Sequence, residues 1–188
     1  KIIFLKKNKY SKIKKELKND YFKKSINFEN IIFLLELSKF FKMKFSVILR
    51  SVNNFKPLKF RQQIIYKSKN LLIINDSKST SFSSTIPLLE NYENIYWILG
   101  GLAKKGDKFK LKRKYYSNIK AYVYGKDRNF LINSLSSKIF TRGSLTLTKA
   151  IKNLSKDIKN DFKKKIILFS PSAASFDQFK NFEERGKF

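Results

Sequence analysis

Along "NFENIIFLLELSKFFKMK" (27–44) apolar residues stand at 31, 32, 34, 35, 37, 40 and 41, close to the spacing of one helix face. Asn27 is the expected N-cap of that helix. "FSVILRSVNNF" (45–55) predicts a second, shorter helix. Lys56-Pro57 ends it, because the residue before a proline is driven out of helical backbone angles. From about residue 63 the texture changes. Short apolar runs at 62–66, 71–76, 95–101, 121–125, 138–141 and 165–170 read as strands, and the stretches near 82–91, 127–136, 145–159 and 178–187 read as helices. This alternation predicts an α/β fold, a Rossmann-like and mostly parallel sheet with helices on both faces, preceded by a helical segment. The boundary between the two falls near residues 58–64, with no long linker and no internal repeat. Residues 1–25 are dense in Lys, and their apolar run "IIFL" predicts one strand followed by a loop.

Composition narrows the function. In 188 residues, a hydrophobic fraction of 42% with 19 Phe supports a packed core and excludes a disordered polymer. The formal charge of +28 points first to a polyanion partner. The form of that charge argues against one. Arg stands only at 50, 61, 113, 128, 142 and 185, so Lys supplies nearly all the basicity and spreads it over every segment without a stripe. Phosphate clamps and base readers favour the planar fork of Arg.

The chain has no Cys and no His. Disulfides, thiolate metal sites and imidazole catalysis are therefore excluded, and any chemistry falls to carboxylates, Lys, hydroxyls and backbone dipoles. No apolar run approaches the roughly 18 residues of a membrane span, and no secretory pattern follows the basic start. The expectation is a soluble, cytoplasmic protein without a membrane partner. A start at Lys1 rather than Met suggests a piece of something longer.

In α/β sheets ligands bind at the carboxyl ends of strands, so three loops stand out. Strand 71–76 runs into "NDSKSTSFSST", where Asp76 and Lys78 accompany a set of hydroxyls ahead of a helix, suited to a carboxylate or phosphate and equally to a plain helix cap. Strand 95–101 runs into "GGLAKKGDK", where Gly100 and Gly101 allow close backbone approach and Lys104 or Lys105 can neutralise an anion. A Gly-Gly turn with surface lysines is the simpler reading of that loop. It is not a P-loop, since no G-x-x-x-x-G-K-S/T stretch occurs. Strand 165–170 runs into "SPSAASFDQFKNFEERG" (170–186), small residues at a sharp turn followed by Phe176, Phe179 and Phe182 at every third position. Such a stripe usually faces a core.

In this order the stretches "INDSKST" (74–80), "LGGLAKKGD" (99–107) and above all "SPSAASFDQFKNFEERG" (170–186) resemble the carboxy-terminal region of the Mur ligase family, and among its members the D-glutamate-adding type. "NFENIIF" (27–33) and "FKPLKFRQQ" (55–63) more weakly resemble the end of that family's central ATP-binding domain and the hinge after it. The Asp-Asn-Pro-Arg motif of members that add diaminopimelate or lysine is missing. The resemblance covers about residues 26–188. It implies that residues 1–60 end the central domain and 61–188 form the last, D-glutamate-binding domain.

What the resemblance implies is a cytoplasmic, ATP- and Mg2+-dependent amide-forming ligase of peptidoglycan biosynthesis. ATP phosphorylates the alanyl carboxylate of UDP-N-acetylmuramoyl-L-alanine, and the amine of D-glutamate attacks the acyl phosphate. Carried over by position, Thr80, Lys104, Ser175 and Phe182 surround D-glutamate with the backbone of Phe176 close by, and Lys78 lies near the reacting phosphate as the catalytic cation. Asn30, Arg61 and Asp76 match positions that contact ATP, and Phe179 is left to the core. Two departures limit the match. The hinge reads "LKFR" (58–61) where the family has Leu-Pro-His-Arg, and the Gly-rich phosphate loop, the metal-binding carboxylate, the modified Lys and the UDP-binding domain have no counterpart in this sequence. The expectation is a fragment inactive by itself. A stand-alone amino-acid- or partner-binding domain and a basic nucleic-acid binder remain the alternatives.

Overall fold

The computed structural model describes Tyr10, residues 13–23 and residues 25–188, so the "IIFL" strand expectation lies outside the described residues. The chain divides into two compact units, Lys1–Pro57 and Leu58–Phe188.

The first unit is helical, with α1 (Asp20–Lys23), α2 (Ser25–Phe40) and α3 (Phe45–Asn53). Phe28, Ile31, Ile32 and Leu35 recur at intervals of three and four, and this face of α2 packs with Ile48 and Val52 of α3 and with Tyr10, Leu17 and Phe22. Leu34, Leu37, Phe40 and Phe41 of the same apolar run are exposed. Asn27 is not the N-cap. It lies inside α2, buried, and its Nδ2 donates to the Tyr21 carbonyl at 2.9 Å, tying α2 back to the preceding turn.

The second unit holds strands β1 (Gln63–Lys67), β2 (Leu71–Asn75), β3 (Ile95–Gly100), β4 (Leu102–Ala103), β5 (Ile119–Tyr124), β6 (Phe140–Gly143), β7 (Lys165–Phe169) and β8 (Ala173–Ala174). Between them run α4 (Phe82–Asn91), α5 (Arg128–Leu135), α6 (Leu147–Ile158) and α7 (Phe182–Lys187), with a 3-10 turn over Arg113–Asn118. Six strands form one sheet in the order β1-β2-β7-β3-β5-β6. All its pairings are parallel except that of β1, an antiparallel edge on β2. The α/β sheet with helices on both faces is thus as expected.

Alternation divides the side chains between two cores. Trp97, Leu99, Ala121, Val123 and Leu168 join Leu88 of α4 and Leu131 of α5, whereas Tyr96, Ile98, Tyr122 and Tyr124 join Leu147, Ala150 and Leu154 of α6. Burial on both faces is why β3 reads as a continuous apolar run. Because β7 lies between β2 and β3, the three loops singled out in the sequence leave the sheet side by side.

The last helix is shorter than expected. It starts at Phe182 rather than near 178, because the Asn181 side chain accepts the Glu184 N–H at 2.8 Å while Glu184 accepts the Lys180 N–H at 2.6 Å, a reciprocal cap that fixes the first turn there. Phe176, Phe179 and Phe182 therefore do not form one helical stripe. Phe179 packs against the α6-side core, and Phe176 is 70% exposed.

Candidate functional site

At the end of β2, Asp76 sits in the interior with its residue only 7% exposed. Its Oδ1 accepts the Gln62 N–H at 3.1 Å and its Oδ2 accepts the Ser170 hydroxyl at 2.8 Å. Burial pushes its carboxyl up to about 6, against the hydrogen bonds from Ser170 and Gln62 and the charge of Arg61, all of which favour the ionised form. Ser170 continues into a chain of buried hydroxyls. It meets Thr85 at 2.7 Å, and Thr85 in turn meets Ser79 and Ser172, each at 2.7 Å. The polar loop after β2 is thereby wired to the end of β7.

Two further contacts close the three loops on one another. The short strands β4 and β8 pair antiparallel, Leu102 with Ala174 and Ala103 with Ala173, and so zip the loop after β3 to the loop after β7. The approach is close enough to require glycine. A Cβ at Gly100 would strike the Tyr124 carbonyl and one at Gly101 the Ala174 carbonyl, and both residues hold positive φ, at 148° and 127°. Arg185 of α7 is 1% exposed. Its guanidinium donates to the carbonyls of Ser77 at 2.8 Å, Ala173 at 2.9 Å and Gly100 at 3.4 Å, and its Nε to the Ser77 hydroxyl at 3.2 Å. The Asn75 side chain donates to the Gly186 carbonyl and the Ser77 hydroxyl to that of Phe182, each at 2.8 Å, and these strap α7 to the end of β2.

The expected site residues distribute as follows. Lys78 is half-buried, with its N–H on the Phe60 carbonyl at 3.0 Å and its ammonium 3.9 Å from the centre of the Phe182 ring, so these two side chains are brought together. Thr80 and Lys104 are exposed on the loops after β2 and β4. Ser175 is buried just beyond β8, and its carbonyl accepts the Gln178 and Phe179 N–H groups. Arg61 is exposed, and its charge acts on Asp76. Asn30 is exposed on α2, in the other unit. Sequence reasoning named neither Arg185 nor Ser170 for a role. One Arg among so many basic residues gave no signal of burial, and the Asn181-x-x-Glu184 spacing that caps its helix was the signal that could have placed its start.

Of the three residues expected at ATP, Asp76 and Arg61 lie in the second unit and Asn30 in the first. Both Asp76 oxygens are engaged inside the protein, and among the described residues no three acidic side chains converge to hold a metal ion. No helix among them is long and apolar enough to cross a membrane.

No protein-family model matches the chain. Solved structures define its class. A MurF from Acinetobacter baumannii superposes with a TM-score of 0.62 at 16% identity, covering 84% of this chain and 36% of that one. A MurF ligase from Thermotoga maritima in complex with ADP gives 0.53 at 18%, covering 78% of this chain and 35% of that one. The fold is that of the Mur ligases. Among curated proteins, the UDP-N-acetylmuramoylalanine–D-glutamate ligase of Wolbachia from Brugia malayi (strain TRS) is 34% identical over 161 residues, 86% of this chain and 32% of that protein. The chain is a homologue of the D-glutamate-adding Mur ligases and spans about a third of the length of the curated relative it matches.

Proposed function

We propose that the chain carries the D-glutamate-binding part of an ATP-dependent ligase that adds D-glutamate to UDP-N-acetylmuramoyl-L-alanine in the cytoplasm, with residues 61–188 as that enzyme's last domain and 1–60 as the end of its ATP-binding domain. The observation that carries this reading is the meeting, at adjacent strand ends, of the three loops whose sequences match that family best. Lys104 attracts a glutamate carboxylate, and the hydroxyls of Thr80 and Ser175 donate to its oxygens. Phe182 covers the aliphatic carbons, and the Phe176 backbone borders the pocket. Lys78 offsets negative charge at the reacting phosphoryl group.

The amine of D-glutamate forms the amide bond as phosphate leaves the acyl phosphate. ATP, with Mg2+, would transfer a phosphoryl group to the alanyl carboxylate to give that acyl phosphate, and the family's phosphate loop and metal-binding carboxylate have no counterpart in this sequence, so the chain alone is inactive. Incubated with ATP, UDP-N-acetylmuramoyl-L-alanine and D-glutamate, it releases no ADP; glutamate-dependent release would overturn the reading. In an amide NMR titration D-glutamate perturbs residues 78–80, 104 and 175–182 more than L-glutamate does. Equal responses to the two enantiomers would refute the assignment.

A further inference from the structure

Arg185 is buried among backbone carbonyls rather than opposite a single carboxylate. Its three carbonyl partners lie on three different loops: Ser77 follows β2, Gly100 ends β3, and Ala173 follows β7. These are the loops that bear Lys78 and Thr80, Lys104, and Ser175. Burial lowers the Arg185 pKa, while the nearby Tyr124 and Asp177 oppose that shift. Asp177 also reaches a fourth loop, where its Oδ2 accepts the Lys126 N–H at 3.0 Å beyond β5. A planar guanidinium presents donors in several fixed directions at once, which a single ammonium on a flexible stem does not.

We infer that Arg185 is a positioning residue that fixes the three site-bearing loops relative to one another, acting through their carbonyls and touching no substrate itself. The consequence for D-glutamate rests on the function proposed above; the clamp itself does not. A core that only needed volume filled at this position would be served by an apolar side chain, which leaves no buried charge to be paired. Here the charge is kept and spent on main-chain oxygens of separate loops. The β4–β8 pairing joins the loops of Lys104 and Ser175, and Arg185 in the last turn of α7 adds the loop of Lys78 and Thr80 to them.

Amide hydrogen exchange on the full chain tests this, with Arg185→Gln, Arg185→Lys and, as a control, Leu131→Ala, which removes volume from the core under α5. Arg185→Gln is expected to lower protection roughly tenfold at residues 77–79, 101–103 and 173–175, leaving β5 and β6 unchanged. Arg185→Lys shows a partial loss at the same places and serves if Arg185→Gln does not fold. Leu131→Ala lowers protection without favouring those loops. Uniform loss in the Arg185 variants, matching the control, or no loss at all, would overturn the clamp. A wild-type chain that ignores D-glutamate in the NMR titration would count against the substrate reading alone, since the exchange pattern is read without ligand.

Discussion

Asp76 and Asp161 each accept a hydroxyl hydrogen bond in the Leu58–Phe188 unit, from Ser170 at 2.8 Å and from Tyr96 at 2.7 Å, and their acidities diverge in opposite directions. Desolvation lifts Asp76 to about 6. At Asp161 burial is again the largest single influence and pushes upward, but the hydrogen bonds from Asn94, Tyr96 and the Lys163 N–H and the charge of Lys165 together outweigh it and bring the carboxyl down to about 2. Its neighbour Asp157 is held low in the same manner, burial opposing and Tyr122 and Arg142 prevailing. Burial raises both carboxyls, and what separates them is whether the partners outweigh it: two hydrogen bonds and Arg61 do not at Asp76, three hydrogen bonds and Lys165 do at Asp161. At the strand ends the protein keeps an ionisable group where ionisation is unfavourable, whereas at Asp157 in α6 and Asp161 just after it tyrosine hydroxyls and basic side chains favour the ionised form.

The signs of the two contributions are opposite. The folded-state pKa of Asp76 is raised, so the folded protein holds its proton more tightly than the unfolded chain between pH 3.8 and about 6, and stability falls as pH rises through that window. The folded-state pKa of Asp161 is depressed, so its contribution is present above 3.8 and is lost as pH falls towards about 2.

Asp76→Asn gives the largest effect. The wild-type chain loses about 2 kcal/mol of stability between pH 4 and 7 through this carboxylate, and the variant does not. Urea unfolding across that range checks it, and with no His in the chain a transition near pH 6 has no ordinary imidazole source. A slope that survives the substitution would erase the contrast. Ser170→Ala comes next, costing about 1–2 kcal/mol by leaving Thr85 and Asp76 each short of a partner. It also raises the Asp76 pKa further, which a carboxyl NMR titration reads directly. The smallest effect belongs to Arg142→Ala on the α6 side. The Arg142–Asp157 pair at 2.9 Å is partly solvated, so its loss costs about 0.5 kcal/mol and shrinks with added salt. A cost as large as that of Ser170→Ala would mean that the two regions do not differ in kind.

The strands that lie inside the sheet were legible because burial on both faces turns β3 and β7 into unbroken apolar runs between turn residues. Two-residue strands have no period to read, so β4 and β8 were invisible although they zip two site loops together. The three loops were found from their small and hydroxylated residues. Their closure was not, because it depends on a buried Arg far along the chain that local pattern cannot distinguish from surface basicity. Asn27 misled for a related reason: a residue that suits a cap also suits a buried side-chain bond to a neighbouring turn.

The place of β7 has a bearing on how the sheet closes. It comes after the sheet's five other strands in chain order, yet it lies between β2 and β3 and pairs with both. Without β7 the sheet divides into the β1–β2 pair and the β3-β5-β6 set, each with an unpaired edge. Closing that gap demands contacts distant in sequence, which are slow to form. Unpaired strand edges of this kind favour association with other chains, so β7 serves the sheet by removing two of them at once.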